Sequence, residues 1–229
     1  KLHYLVNEYN ISYNYSATLW KENKEAKSGN NNGQILAMAA NYDTKLDSAL
    51  MGVRLPTDQS LRAELKALPA ARKEVETLQE LYEGFFAFDK EASEKVIKAK
   101  AAEFAILHFA THGILDSKQP VLSSLAFTED SDSIENNFWQ AHEISKLQLN
   151  ANLVVLSACE TGYGRFESGN GIASLARAFM YAGSSALIVS LWQVNDFATA
   201  EIMKNLYNNL ADGMAKDEAL RQAKLQYMK

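Results

Sequence analysis

Cysteine is nearly absent: Cys159 is the only one in 229 residues. No internal disulfide can form, and a reducing cytoplasm is the expected setting. No apolar run approaches the roughly 18 residues of a membrane span, which sets membrane embedding aside. Positive charge is short as well. Lys and Arg number 23 against 28 Asp and Glu, for a net charge of -5 and a pI near 5.5. The bases are scattered, which argues against a nucleic-acid surface, since backbone binding needs them clustered. No second cysteine is present, and the one His-x-x-x-His spacing, His108 to His112, has no further ligand motif beside it, so neither a metal site nor another cofactor is expected. The glycines between Gly162 and Gly171 lack the G-K-[ST] ending of a phosphate loop, and Ser157 and Ser190 lack the G-x-S-x-G elbow of serine hydrolases. No internal repeat of 20 to 50 residues is present. No signal-like segment opens the chain. A start at Lys1 rather than Met leads us to expect a fragment of a longer protein.

What the chain does hold is a run of buried-strand candidates separated by helical periodicity. Leu2 to Tyr15, rich in Tyr, Val, Ile and Leu, suits one or two short strands, and Lys21 to Gly33 is a polar loop. Gln34 to Ala40 is a second strand. Pro69 fits the first turn of a helix with Ala70, Val75, Leu78 and Leu81 on one side, ended by Gly84. Phe85 to Phe88, Phe104 to Phe109, Ser123 to Phe127, Leu153 to Leu156 and Ala186 to Trp192 read as further strands. Ser93 to Ala102, Ala141 to Leu147, Ile172 to Met180, Phe197 to Leu210 and Asp217 to Met228 read as helices. Thr128 to Asn137 is an acidic loop. It and the glycine loop from Gly162 to Gly171 are expected to be mobile without substrate. Strand and helix alternate, so the expected fold class is α/β, a mainly parallel sheet sandwiched by helices, with a less regular half before about Ala101.

Two strands end alike. Leu153-Val-Val-Leu156 runs into Ser-Ala-Cys159-Glu-Thr-Gly162, and Phe104 to Phe109 runs into Ala-Thr-His112-Gly113. Open α/β sheets place their chemistry at such carboxyl ends, and the crossover between these two strands lets both open on one edge. A cysteine nucleophile needs a nearby base to form its thiolate. His112 is the candidate base, and Cys159 follows it by 47 residues. A free cysteine is also often a small buried hydrophobe, and packing is the competing reading. His108, inside its strand, reads as a satisfied core residue; His3 and His142 have no accompanying motif.

Phe109-Ala-Thr-His112-Gly113, Leu156-Ser-Ala-Cys159-Glu160-Thr-Gly162 and Ser190-Leu-Trp192-Gln-Val-Asn-Asp196 together resemble the CHAT domain, a family placed with the caspase-like cysteine peptidases. Ser124 to Phe127, Ala141 to Ile144 and Gly171 to Gly183 extend the match over about Leu68 to Gln226. The resemblance implies a caspase-like sheet and one CHAT domain over 1–229, with an N-terminal half at 1–100 and a catalytic half at 101–229. The spacing of 47 residues is near the roughly 50 of caspases, where the histidine also comes first.

The resemblance further implies His112 as general base and Cys159 as nucleophile forming an acyl-enzyme with a protein substrate. The backbone N–H groups of Gly113 and Cys159 would form the oxyanion hole. SACETG departs from the caspase signature, so an aspartate preference does not carry over. Glu160 and Asp196 are candidates for drawing a basic residue of the substrate; Asp196 can equally cap the helix that starts near Phe197. Family members often follow tetratricopeptide repeats, and some act in bacterial defence or regulated cell death. An activating partner or repeats outside this chain are therefore expected. The rival expectation is a catalytically silent sensor or scaffold of the same fold.

Overall fold

Short apolar runs bury themselves by pairing, and helices return the chain between parallel partners. The protein is represented by a computed structural model that describes residues 4–18, 20–21, 33–42, 62–63, 65–116, 118–130, 135–157, 159–160, 170–190 and 195–229. Strand β1 (Ile35–Ala39) is followed by helix α1 (Pro69–Leu81), β2 (Gly84–Phe88), α2 (Glu94–Lys100) and β3 (Ile106–Ala110). Next come β4 (His112–Ile114), β5 (Ser124–Ala126), β6 (Phe138–Gln140), the short α3 (Ala141–Ile144), β7 (Leu153–Leu156) and β8 (Cys159–Glu160). Helix α4 (Asn170–Tyr181), β9 (Leu187–Val189), α5 (Asp196–Ala211) and α6 (Lys216–Tyr227) complete the order.

Five strands form a parallel sheet in the order β2-β1-β3-β7-β9. Alternate residues of each central strand face opposite helical layers. Leu36 and Met38 of β1, Leu107 and Phe109 of β3, and Val154 and Leu156 of β7 pack with Ile97 of α2 and Leu175 and Phe179 of α4. Ile35 and Ala37, together with Leu153 and Val155, pack against Val75 and Leu78 of α1, Leu206 and Tyr207 of α5, and Ala223 of α6. The parallel sheet covered on both faces is the fold the sequence led us to expect.

Three local readings change. Leu2 to Tyr15 pairs with no strand among the described residues. It carries one 3-10 turn, Leu5–Asn7, and the Val6 and Asn7 carbonyls accept from the Arg221 guanidinium of α6. Its tyrosines lie outside the core, Tyr13 being 87% exposed, so their β-propensity has no face to pack on. Strand β9, read as buried, is half-exposed throughout because it is an edge of the sheet. Gly84 opens β2 instead of ending α1. A Cβ there would stand 1.8 Å from the Ile35 carbonyl oxygen, so only glycine lets β1 and β2 approach this closely. The described flanks of the acidic loop make contacts of their own. Glu135 is paired with Lys98, and Thr128 N–H donates to the Ala92 carbonyl. Residues 131–134 of the acidic loop and 162–169 of the glycine loop read as Gly162 to Gly171 lie outside the described residues, and Gly171 stands in the first turn of α4.

The end of α4 follows its sequence closely. Gly183 sits at φ +110°, Ser184 N–H returns to the Phe179 carbonyl and Gly183 N–H to the Met180 carbonyl. That is a Schellman stop, for which glycine is the favoured residue.

Candidate active site

Strands β3 and β7 are hydrogen-bonded neighbours, and both chains continue past the sheet as a second parallel pair, β4 and β8. Here β4 also pairs antiparallel with β5, giving a smaller sheet in the order β6-β5-β4-β8. The fork falls at the carboxyl ends of β3 and β7, beside the point between β1 and β3 where the strand order reverses. Such switch points are where open α/β sheets form crevices.

The fork has a local cause. Just past β3 comes Thr111, fully buried, with its hydroxyl against both the Ala126 carbonyl of β5 and the Tyr42 phenol. Tyr42, three residues beyond Ala39 at the end of β1, supports the same point. Its phenol donates to the Ala126 carbonyl at 2.9 Å and accepts the His112 backbone N–H at 3.0 Å. Burial pushes that phenol up to about 12, against smaller downward pulls from the Thr111 and His112 hydrogen bonds, so it stays neutral.

His112, the first residue of β4, is 2% exposed. Its ring lies 4.8 Å from that of Tyr42, tilted by 42°. Nε2 is 2.7 Å from the Lys66 carbonyl oxygen. A carbonyl only accepts, so Nε2 carries a hydrogen, and in the neutral ring Nδ1 keeps the basic lone pair. Position His112 pairs in register with Cys159, and Gly113 with Glu160. Neighbouring strands lie about 4.8 Å apart, so the candidate base and the candidate nucleophile sit side by side on the backbone. The structure describes Cys159 and Glu160 by their backbone.

Asp196, the remaining sequence candidate, is the first residue of α5, whose own cap is Asn195, accepting the Ala198 N–H at 3.1 Å. The expected cap role therefore belongs to Asn195. Asp196 instead reaches across the fold: its Oδ2 accepts the Ala70 N–H at 2.8 Å. Burial lifts its carboxyl above the ordinary range; the Ala70 N–H pulls it down, the Glu74 charge pushes it up, and nearby His112 pulls it down.

His108 is the core residue expected. Its Nε2 stands 2.9 Å from Glu74 Oε1 and its Nδ1 3.0 Å from the Tyr207 hydroxyl, so both ring nitrogens are committed beneath the sheet. His142 lies on α3; His3 and Trp192 fall outside the described residues.

Among the described residues, one group of side chains has the geometry to hold a cation: Glu94, Glu135 and Glu143, whose carboxylate oxygens lie within 4.8 Å of one another. The Lys98 ammonium already takes that position, at 2.6, 2.8 and 3.0 Å from the three. Burial opposes the Lys98 charge, but the three carboxylates outweigh it and hold the ammonium well above its usual range.

The sequence pattern of the CHAT domain matches residues 1–229, the whole chain. The protein belongs to the CHAT-domain family. CHAT domains are a caspase-like, peptidase-related family, and the parallel sheet flanked by helices agrees with that fold. This CHAT domain is also similar to Tetratricopeptide repeat protein 28 of Mus musculus, 32% identical over 83 residues, or 36% of this chain and 3% of that protein. The Homo sapiens Tetratricopeptide repeat protein 28 is 30% identical over 94 residues, 41% of this chain and 4% of that protein. The chain thus corresponds to a small part of those relatives. No helix among the described residues is long and apolar enough to cross a membrane.

Two residues of the CHAT site escaped sequence reasoning. Tyr42 had a usable signal, since it follows the end of β1 as His112 follows β3 and Cys159 follows β7. Lys66 had none, because it contributes its backbone carbonyl and any residue type would do.

Proposed function

We propose that this CHAT domain is a cysteine endopeptidase that cleaves a protein substrate through His112 and Cys159. The observation that carries the reading is the register of β4 against β8, which seats the two residues as neighbours at the sheet's fork. In this reaction His112 Nδ1 takes the Cys159 thiol proton, and the thiolate attacks the scissile carbonyl carbon. The C–N bond breaks, and the imidazolium returns its proton to the departing amine. Water, deprotonated by the same nitrogen, then opens the thioester and frees the acid and Cys159. Backbone N–H groups of Gly113 and Cys159 stabilise the oxyanion, an effect commonly worth about 3 kcal/mol for one donor.

Glu160 and Asp196 are the acids beside this site, and they favour a basic residue on the substrate. The similarity to tetratricopeptide repeat proteins is compatible with a module controlled by neighbouring repeats or a partner; the role we propose for it, from the family resemblance alone, is cytoplasmic, in bacterial defence or regulated cell death. One domain over 1–229, with its catalytic half at 101–229, fits this arrangement.

The test is mass-spectrometric mapping of cleavage sites in candidate proteins, run with the protein and with Cys159→Ala. New termini that need Cys159, preceded by Lys or Arg, support the proposal. Cleavage that survives Cys159→Ala refutes it. An electrophilic cysteine probe separates the silent-scaffold reading: rapid labelling that depends on His112 marks a poised thiolate, and slow background labelling marks a structural cysteine.

A further inference from the structure

The first turn of an α-helix leaves N–H groups without intrahelical partners, and a side-chain oxygen at the N-cap usually takes one of them. Helix α1 cannot do this for itself. Its N-cap is Leu68, which has no acceptor, and Pro69 fills the next position. The Ala70 N–H is the donor that needs a partner, and the acceptor comes from Asp196, 126 positions away in the chain. A carboxylate there also suits the positive end of the helix dipole.

The residues leading into this capped turn include Lys66, whose carbonyl accepts the His112 Nε2–H. Only three residues separate Lys66 from Ala70, so the placement of that carbonyl depends on where the turn is held. Lys66 is itself exposed; Leu65 before it packs against Ile114, Ala126 and Phe138, and Leu68 after it packs in the layer of α1 and α5, so the carbonyl sits between two partly buried leucines on a backbone that leads straight into the capped turn. Asp196 sits near enough to feel the charges of both His112 and Glu74, so the capped turn and the imidazole belong to one neighbourhood.

We infer that Asp196 is a positioning residue for His112: by capping α1 at Ala70 it fixes the Lys66 carbonyl, and that carbonyl holds the imidazole with its hydrogen on Nε2. The inference rests on the reading of His112 as the base only for its consequence in catalysis; the tautomer itself is a property of the folded chain. The alternative roles of Asp196, an ordinary stabilising cap or a charge acting directly on His112, make different predictions.

The decisive measurement is nitrogen NMR of the labelled His112 ring, which separates an N–H nitrogen from one bearing a lone pair. The unaltered protein, above the pH where His112 protonates, is expected to show the hydrogen on Nε2. In Asp196→Ala the ratio of Nε2–H to Nδ1–H tautomers should fall by about tenfold, and the rate of Cys159 alkylation at neutral pH should fall by a similar factor with a displaced pH profile. Asp196→Asn keeps an acceptor for the Ala70 N–H and should restore both. Asn195→Ala removes the cap of α5 and should lower stability while leaving the tautomer alone. Should Asp196→Ala fail to fold, Asp196→Ser, too short to reach Ala70, takes its place.

A tautomer unchanged in Asp196→Ala or Asp196→Ser overturns the inference and leaves a stabilising cap. Loss in Asp196→Asn equal to that in Asp196→Ala also overturns it, in favour of a direct charge effect. A Cys159 that stays unreactive in every form sinks the peptidase reading instead, and the tautomer measurement still decides the role of Asp196.

Discussion

Glu94 offers a test of the electrostatics in which both sign and size follow from its surroundings. The side chain is wholly buried at the start of α2, 2.6 Å from Lys98 and close to Glu135 and Glu143. Burial is the largest influence and raises its carboxyl from 4.5 to about 7; Lys98 pulls it down, and the two other carboxylates push it up. The folded-state value therefore lies above the unfolded one. Between pH 4.5 and about 7 the folded chain holds a proton that the unfolded chain has released, so unfolding gives one up and stability falls as pH rises. The contribution is complete below the lower value and lost above the upper one. A shift of this size at about 1.4 kcal/mol per pH unit corresponds to about 3 kcal/mol.

Glu94→Gln imitates the protonated side chain at every pH. Urea unfolding from pH 4 to pH 8 should find the variant close to the unaltered protein at the acid end. At pH 8 it should be more stable by up to about 3 kcal/mol, with this part of the pH slope gone. Equal stability at pH 8 together with an unchanged slope would show that Lys98 fully compensates the buried charge, and the reasoning would fail.

Tyr42→Phe removes an oxygen that accepts the His112 N–H and donates to the Ala126 carbonyl. The loss should be about 1–3 kcal/mol in denaturant unfolding, with faster amide exchange at His112 than at Leu107; equal exchange would contradict the contact. Gly84→Ala places a carbon where only 1.8 Å separates it from the Ile35 carbonyl oxygen. Since β1 and β2 must part to admit it, a cost of at least about 3 kcal/mol is expected in thermal or urea melts, and a change under 1 kcal/mol would refute the close approach.

The elements built on local periodicity were legible in the sequence because each buries a face defined by its own residues. The unbroken apolar run of Ile35 to Ala39 marks a strand buried on both faces, and in the fold Leu36 and Met38 enter one core layer and Ile35 and Ala37 the other. Position within the sheet was not legible. Leu187 to Val189 has the composition of a central strand, and only pairing order makes it an edge. The tyrosines of the first segment suited a strand, but the backbone there is engaged by Arg221, some two hundred residues on. At the candidate site, His112 and Cys159 could be found because each ends a recognisable strand. The contacts that orient His112 run through Tyr42 and the Lys66 carbonyl, which local pattern does not pair with it.

The fork between the two sheets explains why so much of the site depends on distant partners. Were β3 and β7 to stop where the five-stranded sheet ends, His112 and Cys159 would stand on loops, each free to take its own course. Continuing as β4 and β8, the same two chains stay in parallel register for another pair of residues. The continuation is short, so its own ladder supplies few hydrogen bonds, and its course past Thr111 must be set from outside. Tyr42 supplies one fixed point, holding the His112 backbone from the end of β1, and β5 supplies another through the Ala126 carbonyl. The imidazole needs a third, and Lys66 provides it from the turn that Asp196 caps. Ring orientation is thus set by α1 and α5 on one side of the sheet, and backbone position by β1 and β5. A change in how α5 packs on α1 would therefore reach His112 through the Ala70 turn before it disturbed the register with Cys159.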